Sequence, residues 1–411
     1  MQPERPSADC QICIAGGGPA GLMLGVLLAR AGVRVTVLEK HADFLRDFRG
    51  DTIHPSTMQV LHELGWLEEF LELPHTPVGK LSGHFGDQAV LVADFTHLPV
   101  AAPFVAMMPQ WDFLNFLARK GSAYPTFTLR MRTQARELII ENDRIVGVRA
   151  DGPAGPIDIR TGLVVAADGR TSELRDASDL PKEDLGAPMD VLWYRLPRLP
   201  TDTDETQGRF DAGRISIMLN RGDYWQCAFV IPKDNNERVR AAGLEAFRKS
   251  VGSVLPFEAE RANAIASFDD VKLLTVQINR LKTWWRPGFL CIGDAAHAMS
   301  PVGGVGVNLA VQDAVAAANL LAEPLRTNTL TDADLTAVQN RREWPTSMTQ
   351  RLQLVMQDNV IAPALTATGD LKPPAMMRLI GAVPWLARFP ARIIGLGVRP
   401  EHISPTLFPE T

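Results

Sequence analysis

Three glycines at fixed spacing, Gly16, Gly18 and Gly21, stand between an apolar run (residues 12–15) and a run of helix formers (residues 19–31). The first glycine of such a pattern permits a tight turn from strand to helix. The second lets the backbone approach a pyrophosphate, and the third lets helix and strand pack closely. Pro19 falls at the helix start, where its missing N–H costs little, and Ala20 follows it. The N–H groups exposed there face the phosphates. A second predicted strand, residues 33–38, ends at Glu39, eighteen residues past Gly21, with Lys40 beside it. A carboxylate in that place accepts hydrogen bonds from ribose hydroxyls. This order of strand, glycine turn, helix, strand and acid predicts a dinucleotide site on an α/β sheet.

The 411 residues suffice for two or three domains, and 46% hydrophobic content supplies their cores. A net charge of −5 offers no electrostatic case for nucleic acid. Residues 1–9 are polar and do not read as a secretory leader, and no stretch reads as a membrane span. Cys10 and Cys13 lie three apart on the first predicted strand, which puts them on opposite faces and unable to pair. They, Cys227 and Cys291 are read as reduced, buried thiols, which suits a cytoplasm.

Further along, residues 57–72 carry helical spacing with Ser56 as the cap. Residues 80–94 read as a hairpin and 110–120 as an amphipathic helix that Gln110 opens. Residues 163–167 form a buried strand that ends in Asp168-Gly169. A sheet-rich texture follows, with strands at 191–196, 215–219 and 224–231, a helix at 236–251 and a strand at 272–282. Residues 289–292 are again a short buried strand, ending in Gly293-Asp294-Ala295-Ala296-His297. Then comes a glycine-rich loop, Pro301 to Asn308, and a strong helix at 309–322. Its backbone N–H groups and helix start favour negative charge.

Three motifs thus stand in order: the glycine turn, Asp168-Gly169 and Gly293-Asp294. With them, residues 8–330 resemble the para-hydroxybenzoate hydroxylase-like flavoproteins, the single-component FAD monooxygenases. The resemblance implies an α/β fold: a Rossmann-like FAD-binding domain (8–79, 105–184 and 284–330), an inserted β-sheet-rich substrate domain (80–104 and 185–283), and a helical C-terminal region (331–411). It implies FAD contacts at Gly16, Gly18, Pro19, Ala20, Gly21, Glu39 and Lys40. It adds Arg49 at the pyrophosphate, Gln110 and Asp294 at the ribityl chain, and Asp168 near FAD and linked to the reductant. Gly304, Gly306, Val307 and Asn308 would face the flavin pyrimidine edge. His297 looks structural in that family.

The activity implied is hydroxylation of a small or medium aromatic through a flavin C4a-hydroperoxide, with NADPH or NADH as transient reductant and dioxygen as co-substrate. No second strand–glycine–helix unit is present for a separate nicotinamide domain. Trp193, Tyr194, Arg221, Tyr224, Trp225 and Gln226 are candidates for the pocket wall, with Pro301 beside them, but alternate strand residues point away, so at most about half can line it. His54 and Arg221 are the candidate base and anchor. No metal site is expected.

A halogenase of the same fold would carry Trp-x-Trp-x-Ile-Pro, and the spacing from Trp225 to Ile231-Pro232 does not match. A dehydrogenase or reductase of the same superfamily, and a non-catalytic flavin sensor whose tail contacts a membrane or partner, stay open. Residues 376–398 mix Trp385 and Phe389 with Arg378, Arg388 and Arg392. Pro384 and Pro390 break any long helix there, so the tail is expected to dock on its own FAD domain, and membrane contact is not expected.

Overall fold

The computed structural model describes residues 9–45, 52–369 and 371–408. Its first sheet runs in the order Trp285–Arg286, Phe289–Cys291, Gly155–Ala166, Cys10–Ala15, Val35–Leu38, Phe127–Arg130. From Phe289–Cys291 to Phe127–Arg130 all pairings are parallel. Central parallel strands are covered on both faces, so they read as continuous apolar runs. All four residues of Val35–Leu38 are buried. Helices Pro19–Arg30 and Gly306–Arg326 pack together against this sheet. The latter is long and apolar enough to cross a membrane by length and composition, contrary to the sequence reading, but most of it is buried as a core helix.

The second sheet runs Lys272–Leu274, Met189–Pro197, Tyr224–Pro232, Arg214–Asn220, Gln207–Asp211, Lys80–Phe85, Gln88–Asp94. The early hairpin therefore lies in one sheet with strands more than a hundred residues later. Helix Leu244–Gly252 covers one face, with Tyr194, Trp225, Phe229 and Phe247 in the core between them. A third, small sheet has Val105–Met107 between Thr52–Ile53 and Thr76–Val78.

Some predicted elements are divided. The helix expected at 57–72 is two, Pro55–Glu63 and Leu67–Leu71, with Gly65 at φ +74° between them. The helix expected at 236–251 breaks at Gly243, φ +91°. The strand expected at 272–282 becomes Lys272–Leu274 and Asn279–Leu281, which belong to different sheets. Ser56 does not cap its helix: His54 stands at the N-cap and the Ser56 hydroxyl donates to Asn308.

The first strand also corrects the cysteine geometry. The N–H groups of Gln11 and Ile12 both point at the Arg34 carbonyl (2.9 and 3.3 Å), the mark of a β-bulge. A bulge offsets the alternation, and the Cys10 and Cys13 thiols meet; the contact with Cys13 lowers the Cys10 thiol to about 7 and raises that of Cys13. All four cysteines are free and buried.

Candidate active site

The glycine turn is built by exclusion. A Cβ on Gly16 (φ +109°) would lie 2.4 Å from the Ala167 carbonyl oxygen, and one on Gly21 would lie 1.9 Å from that of Gly16. A Cβ on Gly18 would meet nothing within 4 Å. Two glycines thus serve packing, and the middle one leaves an open approach to the start of helix Pro19–Arg30. Glu39, at the end of the neighbouring strand, is buried; its carboxylate accepts from the N–H groups of Gly17 (3.1 Å) and His41 (2.9 Å). Ala20 is buried beside Gly293, while Lys40 is exposed. Arg49 lies outside the described residues.

The other two motifs leave the sheet at the same end. Ala166 is the register partner of both Ala15 and Cys291, so the three turns that follow these strands converge. Arg170, just past Asp168-Gly169, places its guanidinium 3.3 Å from the Asp294 carboxylate. Asp168 has one carboxylate oxygen buried without a hydrogen-bond partner, and burial pushes its carboxyl up to about 6. The open cradle at Gly18 and this orphaned acceptor beside Gly16 fit a dinucleotide with hydroxyl and N–H donors. Gln110, half-buried, is the first residue of helix Gln110–Ser122.

Gly293 (φ +58°) is held from behind. Its N–H donates to Asp313 Oδ2 (3.0 Å), which also accepts from His297 Nε2 (2.6 Å). Arg342 Nε donates to Asp313 Oδ1 (2.9 Å), and its Nη1 lies 3.2 Å from Glu401. Burial alone would raise the Asp313 carboxyl, but His297 and Arg342 hold it below the usual range. His297 is fully buried in this network, as the structural reading has it.

The glycine-rich loop is pinned to the small sheet. Gly304 takes φ +64°, and a Cβ there would lie 2.7 Å from Thr52 Oγ1. Its carbonyl accepts from the Thr52 hydroxyl (3.1 Å) and lies 3.1 Å from His54 Nε2. His54 Nδ1 is 2.9 Å from the Ile394 carbonyl. Both ring nitrogens therefore face backbone oxygens, and burial depresses the imidazole to about 4 despite these contacts. This corrects the expectation of a base at His54: the neutral ring donates to one of these carbonyls, its other nitrogen is turned against the second, and the side chain is buried away from solvent and substrate. The Asn308 side chain is likewise committed, accepting from Ser56 and from Thr57 Oγ1 (3.2 Å). Val307 packs into the main core. Gly306 is open, since a Cβ there would meet nothing within 4 Å, and Pro301 is half-buried at the loop's start.

A cavity of about 340 Å³ opens between the small sheet and the turn at 221–224, lined by His75, Met107, Pro109, Asp112, Arg221 and Tyr224 among others. Burial raises the Asp112 carboxyl. Arg221 Nε donates to Gln226 (3.0 Å), and the Arg195 guanidinium stacks 4.8 Å from the Tyr224 ring. Strand alternation separates the other aromatic candidates. Trp225 and Tyr194 are on the opposite face, fully buried under helix Leu244–Gly252, and Trp225 Nε1 donates to Asp202 (3.0 Å). Trp225 is therefore a core residue and not a cavity wall. Trp193 shares the Tyr224 face and packs on a cluster that contains Met107 and Leu396.

Sequence reasoning missed Thr52, Asp112, Asp313, Arg342 and Glu401. Asp313 carried a signal: a carboxylate inside an otherwise alanine-rich apolar helix. Arg342 and Glu401 carried none, since each sits in polar sequence.

Comparison with known proteins gives a coherent set. A family model described as FAD binding domain matches residues 9–352. The chain is 32% identical over its whole length to 6-methylpretetramide 4-monooxygenase from Streptomyces rimosus, covering 97% of that protein. It is 28% identical to pentachlorophenol 4-monooxygenase from Sphingobium chlorophenolicum over 75% of this chain, but spans only 57% of that longer protein. Among solved structures, p-nitrophenol 4-monooxygenase from Pseudomonas putida superposes with a TM-score of 0.73 at 21% identity, covering 95% of this chain and 98% of that one. At that identity the likeness concerns the fold.

Proposed function

We propose a substrate class and a division of labour for this chain, starting from the fact that it belongs to the FAD-binding-domain family of flavoprotein monooxygenases. The protein is an FAD-dependent aromatic monooxygenase. In our reading its substrate is a phenolic aromatic, as the names of its relatives suggest. NADH or NADPH is the reductant and dioxygen the oxidant. The balance is ring C–H, dioxygen, NAD(P)H and a proton giving ring C–OH, water and NAD(P)+.

When bound, FAD supplies the two-electron reduction and the oxygen activation. The chain's own residues divide the rest. Gly16, Gly18, Gly21 and the start of helix Pro19–Arg30 receive the pyrophosphate. Glu39 receives the ribose, and Asp294, steadied by Arg170, the ribityl chain. Gln110 would also bond that chain, Asp168 would lie near FAD on the side of the reductant, and Gly304 and Gly306 would present the loop to the ring system. Arg221 and Tyr224 bind the substrate in the cavity, where a guanidinium favours a phenolate over a phenol.

One observation carries the placement of the substrate. Met107, a cavity wall, is the strand partner of Thr52, whose hydroxyl donates to Gly304. Cavity and glycine loop are thus one strand apart. Four free, buried thiols support a cytoplasmic location.

The test is a screen of phenols for stimulated NAD(P)H oxidation, followed by turnover under labelled dioxygen. Label in the product supports the reading. Label found only in water or peroxide for every stimulating phenol overturns the substrate class.

A further inference from the structure

Residues 371–400 contain five cations, Lys372, Arg378, Arg388, Arg392 and Arg399, and no acid, in a chain whose net charge is −5. All five are exposed, and none forms an ion pair among the described residues. In the same segment Met376, Leu379, Trp385, Phe389 and Ile393 are exposed by between 41% and 74%. They are five of the eleven large hydrophobic side chains so exposed among the described residues. Helix Ala375–Ala382 is bent by 116° from the following helical stretch, Pro384–Leu396. At the elbow the Trp385 and Phe389 rings lie 5.6 Å apart.

The inner side of helix Arg388–Leu396 is packed. Ala391 and Leu396 are buried against Phe95, Leu98 and Met107, and a Cβ on Gly395 would lie 2.9 Å from Leu98. The sequence reading has the tail docked on its own FAD domain; it packs instead chiefly on strand Gln88–Asp94 of the second sheet and the turn that follows it, because that hairpin presents Ala93, Phe95 and Leu98 to it. The exposed side is a tilted aromatic pair and three aliphatic residues, interspersed along the segment with four arginines and a lysine, all exposed.

We propose that this outer face seats the enzyme on an anionic lipid surface. Apolar side chains with aromatic anchors enter the headgroup region while arginines meet acidic headgroups. Neither helix approaches the length that spans a bilayer, so the contact is peripheral. A second copy of the chain is a poorer occupant. A two-fold interface here would set the same five cations against themselves, whereas an anionic surface complements them and repels the more acidic remainder of the molecule.

The holoenzyme is incubated with phosphatidylcholine vesicles, with and without phosphatidylglycerol, and sedimented at low and high salt. Bound enzyme is expected to rise by about ten-fold or more when phosphatidylglycerol is present and to fall as salt screens the arginines. The double variant Trp385→Ser/Phe389→Ser is expected to lose that binding while keeping flavin content. Arg388→Glu/Arg392→Glu, a change of exposed residues only, provides an independent reading and is expected to lose it too. Equal sedimentation with neutral and anionic vesicles overturns the proposal, as does anionic binding that survives both double variants. A concentration-dependent dimer that either variant abolishes also overturns it, and assigns the face to a second copy.

Discussion

The Arg170 guanidinium lies 3.3 Å from the Asp294 carboxylate, although 124 residues separate them in the chain. They meet because Gly155–Ala166 and Phe289–Cys291 are parallel neighbours with Ala166 opposite Cys291, so both motifs emerge at one edge. In open α/β sheets, ligands bind outside the carboxyl ends of the strands. Asp294→Ala and Glu39→Ala each remove a charged acceptor for a sugar or ribityl hydroxyl, worth roughly 1.5–3 kcal/mol. FAD affinity of refilled apoprotein is expected to drop by about ten- to a hundred-fold in each. Unchanged affinity in both would mean that the dinucleotide lies elsewhere.

Asp313 joins Gly293, His297 and Arg342 with no exposure to solvent. Arg342→Met removes one partner of a buried carboxylate, which costs roughly 3–5 kcal/mol. The variant is expected to melt well below the parent and, at temperatures where it is folded, to release flavin faster, since Asp313 also holds the Gly293 N–H. A melting temperature within error of the parent would show the network to be dispensable.

His54 is neutral in the folded protein above about pH 4, because burial depresses its pKa from the ordinary 6.5. The unfolded chain therefore binds the extra proton first. This residue's contribution to stability is whole above pH 6.5 and is lost as pH falls from there towards 4. Thermal melts of the parent and of His54→Gln, compared across that range, are expected to converge as the pH falls. Turnover of His54→Gln is expected to keep the parent's pH profile between pH 6 and 9 even if its rate falls. A profile that loses its alkaline or acidic limb in that window would restore His54 as a base.

Asp168 shifts in the opposite sense. Burial raises its carboxyl to about 6 from the ordinary 3.8, so the folded protein holds a proton that the unfolded chain has released. Its effect is an instability that develops as pH rises from about 4 to 6 and persists above. Asp168→Asn apoprotein is expected to gain on the parent across that window, by an amount on the order of 3 kcal/mol at neutral pH. Calorimetry of the two apoproteins at pH 4 and 7 tests this; a constant difference between them contradicts it.

Arg221→Ala is expected to raise KM for an ionised phenol by about ten-fold or more, through loss of a charge-assisted contact, with FAD content unchanged. Arg221→Lys should restore part of that loss, because the charge returns without the planar fork. A variant that lowers kcat alone would place Arg221 on the reaction and not on binding.

The three turns were legible in the linear chain because short-range sterics dictate them. Only glycine fits where Gly16 approaches Ala167 and Gly21 approaches Gly16, and the apolar runs at 12–15, 163–167 and 289–292, each leading into a glycine turn, read as strands buried on both faces. The dinucleotide fold follows from those local facts. Other features depend on partners that no local pattern encodes. Trp225 and Tyr224 are adjacent in sequence, and only the covering helix at 244–252 decides that the first is core and the second faces the cavity. A two-for-one pairing with Arg34 brings Cys10 and Cys13 together where simple alternation would part them. His54 looked like a base until the loop at Gly304 and the segment at Ile394, 250 and 340 residues away, buried its ring and turned both its nitrogens towards backbone carbonyls. Sequence determines the backbone conformations that a residue's own sterics permit; tertiary structure decides which polar atoms remain available for chemistry, because burial and hydrogen bonding to distant backbone are settled only when the sheets and helices pack.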